Sequence, residues 1–414
     1  MKILISAYAC EPGKGSEPGI GWNIVCSAAQ RHDVWVLTRE TNREAIEAAL
    51  QKNPVPTLHP IYFDLPAWTR WWKRGQRGMQ AYYYLWQVGA YRVMKRLHRL
   101  HSFDVTQHAT FGRYWGPSLL PLLPIPFIWG PVGGGEDAPR FLWRDLDARG
   151  RGFEQVRQIA RLLGEHDPLV RLAAHRSVAA LAVTEETALR LKALGARNTM
   201  VFSAMGLERS EFEEIAALPA PARAPIRFLT TGRAVHWKGV HLGLRAFAAC
   251  GVTDAEYWVV GDGPGLAHLR QLAAELGVAS RVLFHGMLPR RQALEALAHC
   301  HVLVHPSLHD SGGWVCLEAM AAARPVVCLN LGGPAEMVTE KTGIRIAAGS
   351  ASQVHTDLTT AMRTLADSDP VREAMGRAGR MRVEQRYLWE AKSGWLNDLY
   401  ASASNRERRY PDPW

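Results

Sequence analysis

Residues 305–327, HPSLHDSGGWVCLEAMAAARPVV, constrain the fold more than any other part of the chain. The apolar run HVLVHPS reads as the end of a buried strand, DSGG as a tight loop, 314–323 as a helix stopped by Pro325, and PVV as the next strand. A strand that returns to its sheet through one short loop and one helix belongs to a layered α/β domain. Such a loop aims backbone amides beyond the strand's carboxyl end, where a diphosphate fits, and Gly312 and Gly313 are placed to supply them. Glu318, in the first helical turns, can accept two hydrogen bonds from a ribose diol, which puts Asp310 on the sugar side. The alternative is a helix-start glutamate and a loop aspartate with capping roles only.

Further turns of the same kind surround it. TTGRAVHWKG (230–239) lies between the strand IRFL and the amphipathic run VHLGLRAFAAC, and carries Gly232, Arg233 and Lys238. Fixed cations there stabilise the charge that a departing diphosphate gains, although an Arg and a Lys beside a turn are also ordinary solvated residues. AEYWVVGDGPG runs a buried strand into Gly261, Gly263 and Gly265, a weak signal alone. VVCLNLGGPAEMV opens another helix at Gly332 and Gly333.

In this order the motifs resemble the retaining glycosyltransferase family four, whose members carry two acidic residues eight positions apart, an EAMA-type helix and a PVV strand. The pair here is Asp310 and Glu318, where the family more often has glutamate first. The resemblance is strong over 226–338 and looser in the amino-terminal half. It implies an α/β GT-B fold, two Rossmann-like domains facing across a cleft. It also implies retaining transfer of a sugar from a nucleoside-diphosphate donor to a hydroxyl of a glycan or polyprenyl-linked acceptor, in cell-surface or exopolysaccharide biosynthesis. By the same resemblance Arg233 and Lys238 hold the diphosphate, Asp310 the sugar and Glu318 the ribose. His108, in DVTQHATFGR, matches a cleft histidine near the donor sugar. The nucleotide sugar, of UDP or GDP type, is the substrate, and no separate cofactor is expected. No metal is expected either, because the paired cations take that role and no His or Cys cluster has ligand spacing.

With 414 residues and 47% hydrophobic content, two α/β domains are the natural division. We expect them at 1–205 and 226–380, joined by a proline- and alanine-rich linker at 206–225. Residues 381–414 then form a helix crossing back toward the first domain, with a loose tail from Arg406. MKILIS starts a strand with no leader pattern before it, and the six cysteines form no CxxC pair, so a cytoplasmic protein with reduced thiols is expected. The uncharged run 114–135 holds five prolines, which rules against a membrane helix and reads as a loop followed by the strand PFIWG.

In the amino-terminal half, GKGSEPGIGW (13–22) follows the strand ILISAYAC, so Gly15, Ser16 and Gly21 can bring amides close to a phosphate. Glu17 either orients an acceptor hydroxyl or caps the helix. The loop GPVGGGEDAP (130–139) offers Gly133 and Gly134 for close backbone approach, or as a mobile lid.

Formal net charge is +10, concentrated in 66–101, where Arg70, Lys73, Arg74, Arg77, Arg92, Lys95, Arg96 and Arg99 occur with no acidic residue. Trp68, Trp71, Trp72, Met79, Tyr82, Tyr83, Trp86, Val93 and Leu97 recur near helical spacing, giving a basic amphipathic helix or helix pair. It either docks on an anionic membrane surface at the inner face of the cell membrane or packs its apolar stripe on the domain core. No RRM, KH or zinc signature supports nucleic acid. Two competing classes are a dinucleotide-dependent oxidoreductase, for which GKGSEPGIG lacks a GxGxxG pattern, and a noncatalytic nucleotide-sugar-binding protein.

Overall fold

The computed structural model describes residues 1–69, 78–405 and Tyr410. The chain forms two compact units: Met1–Gly135, Gln158–Ala204 and Trp389–Trp414 make the first, Glu136–Arg157 and Met205–Leu388 the second. Each is built around one parallel sheet with helices on it, so the fold is of the GT-B class with two Rossmann-like α/β units.

In the first unit the strands are β1 (Lys2–Ser6), β2 (Asp33–Thr38), β3 (Leu58–Tyr62), β4 (Val105–His108), β5 (Phe127–Val132), β6 (Ser177–Ala182) and β7 (Thr199–Val201). Their order is β3-β2-β1-β4-β5-β6-β7, every pairing parallel. Strands covered on both faces need apolar side chains throughout, which is why ILIS and FIWGPV run without alternation. The strand order reverses between β1 and β4, so their carboxyl ends flank the crevice where α/β sheets place ligands. The last helix, Trp389–Asn405, packs on the first, Ser16–Ala29. Ser393 Oγ donates to Gln30 at 2.7 Å and Asn397 Nδ2 to the Ser27 carbonyl at 3.2 Å.

In the second unit the strands are β8 (Ile226–Thr231), β9 (Ala255–Val260), β10 (Val282–Gly286), β11 (Val302–His305), β12 (Val326–Leu329) and β13 (Gly343–Ile346), in the order β10-β9-β8-β11-β12-β13 and all parallel. Here the reversal falls between β8 and β11.

Two expectations change. Within 206–225, expected to be a spacer, Arg209–Ala216 is a helix whose Phe212 and Ile215 are buried with Leu207 in a core of the second unit. Two apolar anchors three residues apart, on one face of the helix, hold a segment that the neighbouring prolines and alanines disguise. Residues 136–157, expected in the first domain, belong to the second, because Leu142 and Leu146 share a core with Phe228 and Phe247.

In 66–101 the described part follows the core-packed one of the two readings. Met79–His101 is one helix, and Tyr82, Tyr83, Trp86, Ala90 and Met94 are buried in the first unit's core, with Val93 and Leu97 packed against them. Trp86 is fully buried, its indole N–H donating to the Phe63 carbonyl at 2.9 Å, so it cannot enter a bilayer. Arg92, Lys95, Arg96 and Arg99 are exposed, and Trp68 is 76% exposed. Arg70, Trp71, Trp72, Lys73, Arg74 and Arg77 lie outside the described residues, as does the tail from Arg406 apart from Tyr410. No helix among the described residues is long and apolar enough to cross a membrane.

Candidate active site

The β8/β11 reversal in the second unit gathers the motif residues. The turn after β8 carries Gly232, Arg233 and Lys238, and the turn after β11 carries Asp310. Gly239, at φ +64, lets the two turns touch: a Cβ there would sit 1.9 Å from the Pro306 carbonyl oxygen. The backbones then join directly, Leu308 N donating to Trp237 O at 2.7 Å and Ser307 Oγ to the same oxygen at 2.9 Å. Lys238 Nζ donates to Asp310 Oδ2 as an ion pair. Arg233 is exposed and its side chain makes no hydrogen bond or ion pair with the described residues.

Asp310 is the hub of its loop. His305 Nε2 reaches Oδ2 at 3.1 Å, while the amides of Gly312 and Gly313 both donate to Oδ1 at 3.2 Å. Burial alone would raise this carboxyl, but His305 and Lys238 together hold it well below the usual carboxylate range. The two glycine amides expected to face a diphosphate are therefore turned onto the aspartate of their own loop. An Asp followed by paired glycines folds its side chain back onto the amides two and three residues on, as Asx turns do.

Glu318 lies one turn into the helix Trp314–Ala321, which starts after Gly313 in the left-handed conformation at φ 69. Arg290 Nη1, from the helix Arg290–His299, donates to Glu318 Oε1 at 2.5 Å, and Arg290 Nη2 approaches Glu211 at 3.5 Å. Burial raises the Glu318 carboxyl in spite of Arg290, because the cation is half exposed while the acid is not. Arg290 is a site residue that sequence reasoning missed.

A second carboxylate was missed as well. Glu154, on the helix Ala148–Glu165, presents Oε1 to His236 Nε2 at 2.8 Å and to His309 Nε2 at 2.9 Å. Burial works against its ionisation, yet the two imidazoles and Arg157 hold it down at about 2. The signal in the sequence is the helical spacing of Glu154, Arg157 and Arg161, which puts them on one face.

In the first unit the β1/β4 reversal holds the remaining candidates. Gly15 caps the helix Ser16–Ala29 and Ser16 adopts φ 64, both exposed after β1. Gly21 lies inside the helix; a Cβ there would lie 2.2 Å from the Ala9 carbonyl, so it serves close packing of the helix on the turn after β1. Glu17 Oε1 accepts from the Gly112 amide at 2.6 Å, a partner neither of its readings named, and so staples the turn after β4. Gly133 is pinned rather than lid-like: its amide donates to Gly112 O at 2.6 Å and its carbonyl accepts from Tyr114 N at 3.1 Å. Gly134, at φ 93, packs against Trp115. His108 ends β4 with 1% exposure, Nδ1 has no partner among the described residues, and burial lowers its pKa to about 4, so it is neutral at pH 7. A cavity of about 470 Å³ opens at the carboxyl ends of β2 and β3, lined in part by Glu40, Tyr62 and Asp64.

Two parallel sheets, with a cation–carboxylate pair and a buried glutamate gathered at the reversal of the second, define a GT-B protein with its charged site on one Rossmann-like unit. Residues 212–382, which contain that site, match the family model of glycosyl transferases group 1. The 2-deoxystreptamine glucosyltransferase of Streptomyces kanamyceticus is 33% identical over 252 residues, 58% of this chain. The match spans 64% of that relative's length, less than two thirds of it. Sucrose-phosphate synthase from Thermosynechococcus elongatus aligns with a TM-score of 0.66 at 17% identity, covering 98% of this chain and 99% of its own. Anabaena Alr3699/HepE in complex with UDP and glucose gives a TM-score of 0.59 at 18% identity, covering 98% and 100%.

Proposed function

We propose that this chain is a retaining, metal-independent glycosyltransferase that moves a sugar from a nucleoside-diphosphate donor to a hydroxyl group. The observation that carries this reading is the convergence of Lys238, Asp310 and Glu318 at the β8/β11 reversal, inside the segment that matches the glycosyl transferases group 1 model. Lys238, with Arg233, neutralises the departing diphosphate as the glycosidic bond breaks. Asp310 holds Lys238 until the phosphates arrive and then faces the sugar hydroxyls. Glu318 exchanges the Arg290 guanidinium for the ribose diol, and Arg290 is free to turn toward the phosphates. Gly232 leaves room beside the Lys238 stem. The leaving phosphate takes the acceptor proton on the same face, so no carboxylate base is required and the configuration is retained.

The first unit binds the acceptor in this reading, with Gly15 and Ser16 presenting amides to a phosphate. A glycan or polyprenyl-linked acceptor in cell-surface polysaccharide synthesis is the first choice. A small aminocyclitol is the second, favoured by the acceptor in the Streptomyces kanamyceticus relative's name and by the cavity beside Glu40 and Asp64, whose carboxylates suit an ammonium group. We place the enzyme in the cytoplasm. Attachment to anionic lipid falls in this reading to Arg92, Lys95, Arg96, Arg99 and Trp68 among the described residues, and co-flotation with anionic but not neutral liposomes is its test. The oxidoreductase alternative is not favoured by the family match.

The testing experiment is thermal stabilisation by UDP, GDP and ADP and their sugars. A ligand at ~100 times its Kd adds about 2.7 kcal/mol to the folded state. Stabilisation by one base series is expected, and none by any of them removes the reading.

A further inference from the structure

Most polar side chains on a helix face solvent, but Glu154 does the reverse. It is 1% exposed, whereas Val156 two residues on is 67% exposed. The helix therefore turns a carboxylate inward at the expense of an apolar residue, and the carboxylate is met by two histidines from two different turns. His236 belongs to the turn of Lys238, and His309 directly precedes Asp310. An ionised carboxylate can only accept, so both imidazoles present Nε2–H to the same oxygen. Aromatic stacking closes the cluster: Phe153 lies on Trp237 at 5.0 Å and 17°, and Trp237 on His309 at 5.8 Å and 16°.

We infer that Glu154 is a positioning residue that locks the turn bearing Lys238 to the turn bearing Asp310. The inference rests on the glycosyltransferase reading above, in which those two residues act on the diphosphate and the sugar. Lys238 has a long flexible stem, and its ammonium can serve the leaving phosphate only if the turn beneath it is fixed against β11. The direct links between the turns are the bonds from Leu308 N and Ser307 Oγ to Trp237 O and the Lys238–Asp310 pair, and the last must open when a donor binds. The bonds from Glu154 do not depend on that pair, because His236 and His309 bond Glu154 while Asp310 is held by Lys238, His305 and the two glycine amides. Ser311 extends the same support, its hydroxyl donating to Glu136 at 2.7 Å, so the segment 136–157 holds the Asp310 loop at two points.

The test compares wild type with Glu154→Leu, Glu154→Gln and His309→Phe, with Lys238→Ala as the control for the underlying reading. Amide hydrogen exchange of 232–239 and 305–313 should quicken about tenfold or more in Glu154→Leu while β9 stays unchanged, which separates a local release from general loosening. UDP release from UDP-glucose should fall about 100-fold in kcat, the cost of misplacing a catalytic group by about 1 Å, while UDP affinity stays within about threefold. Glu154→Gln keeps an oxygen that accepts both bonds and should recover most of the rate. If Glu154→Leu does not fold, His309→Phe, which leaves Glu154 one partner, should show the same pattern more weakly. Unchanged exchange in both turns, or kcat and UDP affinity falling together in step with Tm, overturns the inference. If Lys238→Ala keeps wild-type turnover, the glycosyltransferase assignment of the site fails instead; a Lys238-sensitive enzyme indifferent to Glu154→Leu and His309→Phe refutes only the lock.

Discussion

Replacing Glu318 should separate binding from stability. In the free protein its carboxylate is held by Arg290 at 2.5 Å, and in the proposed complex it accepts two hydrogen bonds from the ribose. Hydrogen bonds to a charged group contribute about 1.5–3 kcal/mol each. The Arg290 contact given up in exchange involves a half-exposed guanidinium and offsets no more than about 1 kcal/mol. The net loss in Glu318→Ala is then at least about 2 kcal/mol, or roughly 30-fold in nucleotide Kd. Stability should move the other way. Burial raises the Glu318 pKa in the fold, so its contribution is fully present below the unfolded value of ~4.3 and is lost as pH rises through the folded value. At pH 7 the ionised side chain therefore disfavours folding, and the isosteric Glu318→Gln should have an equal or higher Tm there, with the difference vanishing toward pH 4. Isothermal titration with the nucleoside diphosphate that stabilises wild type, together with Tm measured from pH 4 to 8, reads both quantities. An unchanged Kd in Glu318→Ala refutes the ribose role, and a lower Tm in Glu318→Gln at pH 7 refutes the electrostatic reasoning.

Lys238→Ala should lower kcat by about 100-fold or more while nucleotide Kd changes far less, because its partner charge grows toward the transition state; steady-state kinetics beside binding isotherms check the split. Activity should survive EDTA, and loss restored by magnesium or manganese contradicts metal independence. Neutral His108 stabilises the fold above its unfolded pKa of ~6.5, and that contribution is lost as pH falls through about 4, amounting to roughly 3 kcal/mol over the interval. His108→Gln should accordingly flatten the decline of Tm between pH 6.5 and 4, and an unaltered slope shows the imidazole is not held neutral by the fold.

The parallel sheet around β8, β11 and β12 is legible in the sequence because each strand is a short apolar run closed by glycine or proline, and no other packing buries such runs on both faces. Lys238, Asp310 and Glu318 are legible for the same reason: they follow strand ends in order along the chain. Glu154 and Arg290 are not. Glu154 lies 82 and 155 residues from its histidines, and Arg290 lies 28 residues from Glu318, so no local pattern links the partners. The stretch 136–157 was misassigned because Leu142 and Leu146 suit either core, and only contact with Phe228 and Phe247 decides between them. The direction of the Gly312 and Gly313 amides was equally hidden, since an aspartate before two glycines can leave the amides open or bind them itself. In Met79–His101 the aromatic spacing marked the buried stripe correctly, but spacing alone does not say whether protein or lipid covers it.

The most direct measurement is the anomeric configuration of the product, followed by NMR during turnover with the stabilising nucleotide sugar and an acceptor panel that includes polyprenyl-linked glycans and aminocyclitols. A new glycosidic bond with the donor's own configuration, formed by wild type and suppressed in Lys238→Ala, is the expected result. An inverted product, or a wild-type protein that binds the nucleotide sugar without ever transferring it, contradicts retaining glycosyl transfer at the Lys238, Asp310 and Glu318 site.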